Sequence, residues 1–179
     1  QMGENPKTIF NFGSLGSYSI NKEKLFTKKK IEKILNINLN KKILLVTFHP
    51  VTLEKNKSQF YVKNLIKFLE KFDNYFIIIS SPNFDSEAFA VKKKLINFSK
   101  KKKNVLFKNS LGRKLYLSLM KIAFVVIGNS SSGVLETPSF GVRTINIGDR
   151  QKGRITTPNI INCDYKYESI RKAFYKVAK

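Results

Sequence analysis

The sequence predicts a doubly wound α/β domain built on a parallel sheet. Two patterns carry that expectation. Short apolar runs recur along the chain, and several are continuous rather than alternating, as strands covered on both faces require. Between them lie segments whose apolar residues follow helical spacing. The length of 179 residues suits one domain with a substantial core.

The elements follow in order. Thr8–Phe12, Ile43–Phe48, Tyr75–Ser80, Val105–Phe107, Phe124–Ile127 and Thr144–Ile147 read as strands. Gly13–Ser17 reads as a Gly/Ser-rich loop after the first of them. Val62, Leu65, Ile66 and Leu69 share one helical face. Phe89, Leu95, Ile96 and Phe98 do so less cleanly, Leu115, Leu119 and Met120 mark a shorter helix, and Ile170, Ala173, Phe174 and Val177 mark a C-terminal one. The lysine runs Lys28–Lys30, Lys92–Lys94 and Lys100–Lys103 read as solvated helix faces. No internal repeat or low-complexity linker interrupts the pattern.

Composition narrows the function classes. The net charge is +22, which calls for a comparison with nucleic-acid binders. Of the 34 basic residues only five are arginine, the residue that reads base edges bidentately, and the lysines are spread along the chain. That distribution argues against a nucleic-acid groove but favours attraction of an anionic substrate. Cys163 and His49 are the sole cysteine and histidine, so a disulfide framework, a cysteine cluster and a multi-histidine metal site are excluded. No apolar run reaches membrane-spanning length, and the first residues lack the features of a secretory leader. A soluble, cytoplasmic domain without membrane partners is expected.

The chemistry concentrates after the later strands. A buried strand runs into Gly128-Asn129-Ser130-Ser131-Ser132-Gly133 and then into a helix. Small residues let a ligand approach the backbone, serine hydroxyls donate hydrogen bonds, and a helix start favours phosphate. An ordinary serine-capped helix would account for one of those serines, but three flanked by two glycines exceed capping. Glu136 is expected in the first turns of that helix, where its carboxylate could accept from a ribose diol or merely complement the helix dipole. Pro138 requires the helix to be short or kinked.

Strand Thr144–Ile147 delivers a second loop, Gly148–Arg154, rich in glycine and cations that could clamp a diphosphate. His49 follows a third strand immediately before Pro50, at the same sheet edge, where imidazole could exchange a proton or bind phosphate. The loops Ser80–Asp85 and Asn109–Gly112 end two further strands and could line the same pocket, though each alone reads as a plain turn.

Taken together, GNSSSGVLETPSFGVRTINIGDRQKGR resembles the signature of hydrolysing UDP-N-acetylglucosamine 2-epimerases of the bacterial sialic-acid pathway type. VTFHP resembles that family's strand-end histidine motif, SSPNFDSE its Pro-Asn-x-Asp loop, and FNFGSLG the passage between its two halves. Non-hydrolysing relatives usually carry an Asp-Ser-Gly-Gly pattern and a Thr-Glu-Arg-Pro loop, and this chain has neither. The resemblance implies a glycosyltransferase-B-like fold of two Rossmann-like halves, with residues 1–179 forming the C-terminal, UDP-binding half. It implies diphosphate contacts at Ser130, Ser131 and Arg150, ribose contact at Glu136, and uracil contact at Ser110 and Leu111. It also assigns Asn83 to the nucleotide and gives His49 and Arg150 catalytic parts on the phosphate or sugar side. The acidic catalytic residues are expected in an N-terminal half outside this chain, so this half alone is expected to be inactive. The residues call for no metal or cofactor.

The implied partners are a UDP-sugar and the N-terminal half; a homo-oligomer stays open, and neither nucleic acid nor membrane is expected. The donor domain of a glycosyltransferase, which shares the fold and a similar ribose-binding glutamate, remains an alternative. A basic nucleic-acid-binding module is another. The sugar could be N-acetylglucosamine or a 2,4-diacetamido relative, and a GDP-sugar is conceivable.

Overall fold

The structure, a computed structural model, describes residues 3, 5–10, 15–51, 57–83 and 87–178. Its strands are β1 (Lys42–Thr47), β2 (Tyr75–Ser80), β3 (Val105–Lys108), β4 (Val125–Gly128), β5 (Thr144–Ile147) and β6 (Ile160–Cys163). They form one sheet in the order β3-β2-β1-β4-β5-β6, and every pairing is parallel. This is the doubly wound, Rossmann-like arrangement that the alternation of apolar runs and helices predicts.

Burial explains why these strands read as unbroken apolar runs. Leu44, Val46, Ile77, Ile79, Val125 and Ile127 face a core layer closed by helices α3 (Ser58–Leu69), α4 (Ala88–Lys101) and α7 (Tyr167–Ala178). Ile43, Leu45, Ile78 and Val126 face the other layer, with Ile31 and Leu35 of α2 (Lys28–Leu35) and Leu115, Leu119 and Met120 of α5 (Gly112–Ile122). Neighbouring residues in the middle of β1, β2 and β4 therefore leave water in opposite directions, and both faces there are apolar. Helix α2 begins at Thr27, whose hydroxyl accepts from the Lys30 amide, and ends at Asn36 in the left-handed conformation.

The amino ends of the strands are packed with rings. Phe174 of α7 lies 4.5 Å from Phe72, 5.5 Å from Phe68 and 5.8 Å from Tyr75, centroid to centroid. The carboxyl ends carry loops with polar residues instead, so stability and ligand chemistry sit at opposite edges of the sheet.

Three expectations are corrected. Thr8–Phe12 is not a strand where it is described: Pro6–Thr8 is a 3-10 turn capped by Asn5, whose side chain accepts from the Lys7 amide. Asn-Pro chemistry starts a turn there, and Ile9 and Phe10 are exposed; Asn11 and Phe12 lie outside the described residues. Of the Gly13–Ser17 loop, Gly13 and Ser14 also lie outside them, while the rest belongs to helix α1 (Leu15–Lys22). Phe89 stands 81% exposed, and Val91 takes the core position on α4 instead. Strand β6 was not expected; its two asparagine-bounded apolar residues make too short a signal. Asn162 pairs there with Asn146 of β5, side chain to side chain at 2.8 Å. No helix among the described residues is long and apolar enough to cross a membrane.

Candidate functional site

Because all six strands run the same way, their carboxyl ends share one edge. His49 follows β1, Asn83 follows β2, Ser110 follows β3, Ser130 follows β4 and Arg150 follows β5. Strands β1 and β4 are adjacent but lead to connections on opposite sides, which opens a crevice between their ends. These loop residues therefore lie at this edge, with His49 and Ser130 flanking the crevice.

The two strand ends are tied together by Asn129, which is fully buried. Its side chain accepts from the His49 amide at 2.7 Å and donates to the His49 carbonyl at 2.9 Å. Those two bonds lock the chain after β1 to the chain after β4. The ring of His49 is fixed as well: the Asn83 amide donates to Nδ1 at 3.0 Å, which leaves the neutral ring's proton on Nε2. His49 is only 6% exposed. The Asn83 contribution is thus a backbone one, and its side chain is exposed. Phe84, Asp85 and Ser86 lie outside the described residues.

The helix after the serine loop is short, as Pro138 requires. Helix α6 (Ser132–Leu135) has four residues, too few for a substantial dipole, and a 3-10 turn over Thr137–Phe140 follows. The donors must be the loop's own. Among the described residues, no hydrogen bond occupies the Ser131 hydroxyl or the amides of Ser130 and Ser131. Glu136 closes this single short turn, at the junction between α6 and the 3-10 turn.

That junction places Glu136 on the wall of a cavity of about 390 Å³, with Ser80, Ser110, Leu111, Arg113 and Tyr116 among its other lining residues. Burial pushes the Glu136 carboxyl above its ordinary range, and the Arg113 guanidinium, 3.7 Å away, opposes the rise. Arg113 also reaches Glu23 at 3.8 Å. A second cavity, of about 590 Å³, lies beyond β5 and β6 and is lined by Gln151, Lys152 and Arg154 among others. The serine loop joins the two: Tyr116 of the first bonds Ser132 at 2.8 Å, and Gln151 of the second donates to the Asn129 carbonyl at 2.9 Å. Arg150 reaches that same carbonyl at 3.4 Å. Among the described residues, the side chains of Lys152 and Arg154 make no such contact with the serine loop.

Sequence reasoning missed Arg113, Tyr116, Asn129 and Gln151. Asn129 and Gln151 lie inside the two loops already selected, so polarity within a glycine-bounded loop was the available signal. Tyr116 and Arg113 belong to α5 and meet the site only through the fold.

The charge on Glu136 gives a pH expectation. A ribose diol needs an ionised acceptor, and protonation removes one. If Glu136 accepts from a ribose diol, as the sequence resemblance implies, its raised pKa makes uridine affinity fall with decreasing pH sooner than an ordinary carboxylate would dictate. Arg113→Ala removes the opposing influence and should move the fall to still higher pH. Uridine titrations from pH 7.5 downward check this, and Glu136→Gln should abolish the dependence.

The sequence model of the family described as UDP-N-acetylglucosamine 2-epimerase matches residues 1–179. A GDP/UDP-N,N'-diacetylbacillosamine 2-epimerase (hydrolyzing) of Campylobacter jejuni is 44% identical over 179 residues, covering 99% of this chain and 46% of that protein. The polysialic acid biosynthesis protein P7 of Escherichia coli is 36% identical, with 95% of this chain and 43% of that protein covered. The chain thus spans about half the length of the curated relatives it matches. Among solved structures, a UDP-GlcNAc 2-epimerase of Methanocaldococcus jannaschii in complex with UDP-GlcNAc and UDP superposes with a TM-score of 0.70 at 18% identity, covering 98% of this chain and 49% of that one. MnaA of S. aureus, solved with UDP, gives 0.71 at 12% identity, with 99% and 46% covered. At those identities the structural likeness concerns the fold.

Proposed function

The chain belongs to the UDP-N-acetylglucosamine 2-epimerase family, and from that premise we propose that it is the UDP-binding, C-terminal half of a hydrolysing UDP-sugar 2-epimerase. The observation that carries this reading is the juxtaposition at one sheet edge of a nucleoside-sized cavity bearing Glu136 and a serine loop faced by Arg150. The uracil lies toward Ser110 and Leu111, the ribose diol on Glu136, and the diphosphate between Ser130, Ser131 and Arg150.

The reaction divides between two halves. A base in the other half removes the proton on sugar carbon 2, the electron pair forms the carbon 1–carbon 2 double bond, and UDP departs from carbon 1 with the bonding pair. Water then adds to the glycal to give the 2-epimeric free sugar. This chain's task is to hold UDP and to stabilise the charge that grows on the departing diphosphate, which is electrostatic work by prepositioned donors. The Asn83 amide, donating to Nδ1, fixes the orientation of the His49 ring at this edge. A diacetamido sugar as substrate agrees with the name of the Campylobacter relative.

The test separates ribose from phosphate. Glu136→Ala should weaken UDP by roughly ten- to a hundredfold, the loss of about 1.5–3 kcal/mol for hydrogen bonds to a charged acceptor. Inorganic pyrophosphate, lacking a ribose, should bind as before. Calorimetry with both ligands decides, and equal weakening of the two would remove Glu136 from the ribose and leave it organising the loop.

A further inference from the structure

Beneath the nucleotide cavity runs a row of hydroxyl groups that leads to Ser130 and whose other members the proposed contacts do not use. Ser80 Oγ lies 2.7 Å from Thr47 Oγ1, which lies 3.1 Å from Tyr116 Oη. Tyr116 Oη lies 2.8 Å from Ser132 Oγ, and Ser132 donates to Ser130 Oγ at 3.0 Å. Four strands and helices contribute, so the row is a product of the tertiary fold and not of one loop.

Proton counting fixes its direction. Each hydroxyl has one hydrogen to donate. Ser132 spends its hydrogen on Ser130, so Tyr116 must donate to Ser132. Tyr116 then accepts from Thr47, and Thr47 accepts from Ser80. The chain therefore runs one way, from the base end of the cavity to the serine loop. At its end, Ser130 Oγ accepts from both the hydroxyl and the amide of Ser132, the latter at 3.4 Å. With both lone pairs engaged, Ser130 can only donate. Its partner must be an acceptor: an ammonium has no lone pair to offer, a sugar hydroxyl is a weak neutral acceptor, and an ionised phosphate oxygen is the strong, charge-assisted one.

We propose that Tyr116 and Ser132 are positioning residues that make Ser130 a dedicated, polarised donor to a diphosphate oxygen. This rests on the reading of the serine loop as the diphosphate site. Successive hydrogen bonds in one direction strengthen one another, so the terminal O–H is a better donor than that of an isolated serine. Burial also keeps the phenol of Tyr116 protonated well into alkaline solution, which preserves its donor role.

The experiment compares UDP with uridine, whose binding needs no phosphate donor. Calorimetry on this chain and on Ser130→Ala, Ser132→Ala, Tyr116→Phe and Ser80→Ala gives the affinity for each. Ser130→Ala should weaken UDP and spare uridine. Ser132→Ala and Tyr116→Phe should weaken UDP by about three- to tenfold, with uridine within twofold of wild type. Ser80→Ala, farthest from the end, should have the smallest effect. The double variant Tyr116→Phe/Ser132→Ala should be no worse than Ser132→Ala, because one break already interrupts the chain. If Tyr116→Phe fails to melt cooperatively, Ser132→Ala decides alone. If Ser130→Ala loses UDP affinity while Ser132→Ala and Tyr116→Phe keep it, the inference is overturned and the diphosphate reading stands. Equal loss of UDP and uridine in Tyr116→Phe also overturns it, because the tyrosine would then be shaping the nucleoside cavity. If wild type binds UDP no better than uridine, the diphosphate reading itself falls and the inference falls with it.

Discussion

Arg150→Ala is expected to lower the catalytic constant of the full-length protein by about 10²–10³-fold, a loss of about 3–4 kcal/mol of transition-state stabilisation. Inhibition by UDP should weaken much less. The serine hydroxyls and amides are neutral donors, and a dianion in a partly enclosed crevice needs a positive partner. Three cations occupy the Gly148–Arg154 loop, but the guanidinium of Arg150 is the one that reaches the carbonyl of Asn129 at the foot of the serine loop. Negative charge on the diphosphate peaks as the bond to sugar carbon 1 breaks, so the loss should fall on the rate more than on binding. Arg150→Lys should also be slow, because an ammonium cannot form the planar fork. Steady-state rates and UDP inhibition constants for Arg150→Ala, Lys152→Ala and Arg154→Ala check the assignment. A wild-type rate in Arg150→Ala beside a slow neighbour would transfer the anion clamp to that neighbour.

Why some of this was legible in the sequence and some was not has physical reasons. Strands β1, β2, β4 and β5 are covered on both faces, and such strands cannot hide among amphipathic segments. Strand β6 sits at the sheet edge with Asn162 in its middle, and its pattern is too brief to separate from a turn. Thr8–Phe12 misled because apolar residues that follow a proline turn can equally lie exposed, as Ile9 and Phe10 do. The site was legible in the loops after the strands, since parallel strands bring their carboxyl ends together whatever the details of packing. Tyr116 was not, because on α5 it sits among Leu115, Leu117 and Leu119 and reads as helix body. Its contact with Ser132 arises only when α5 is laid beside α6. The brevity of α6 was legible in Pro138, which permits either a kink or a stop, and the 3-10 turn over Thr137–Phe140 is the stop.

The crevice itself depends on how closely β1 and β4 approach at their carboxyl ends, where Thr47 pairs with Gly128. Gly128 has φ +143°, and a Cβ there would lie 1.9 Å from the Thr47 carbonyl oxygen and 2.7 Å from its carbon. Both atoms are backbone, so no side chain can rotate away. Nor can Thr47 retreat freely, for its carbonyl accepts from the Asn129 amide at 3.2 Å and its hydroxyl contacts both Ser80 and Tyr116. Gly128→Ala therefore combines a disfavoured backbone conformation, about 1–3 kcal/mol, with overpacking of about 1–3 kcal/mol. Against a typical domain stability of about 5–15 kcal/mol, the melting temperature should fall by on the order of 10 °C. Gly153→Ala is the matched control: its φ is +84°, but nothing lies within 4 Å of the added carbon. It should suffer the conformational cost without the collision. What remains folded of Gly128→Ala should bind UDP poorly, since relieving the collision moves Asn129 and with it the His49 backbone. Thermal melts and UDP titrations of the two variants give the comparison. If Gly128→Ala melts no lower than Gly153→Ala and binds UDP as well, then β1 and β4 separate easily at this edge, and the close approach is not what holds the serine loop against His49.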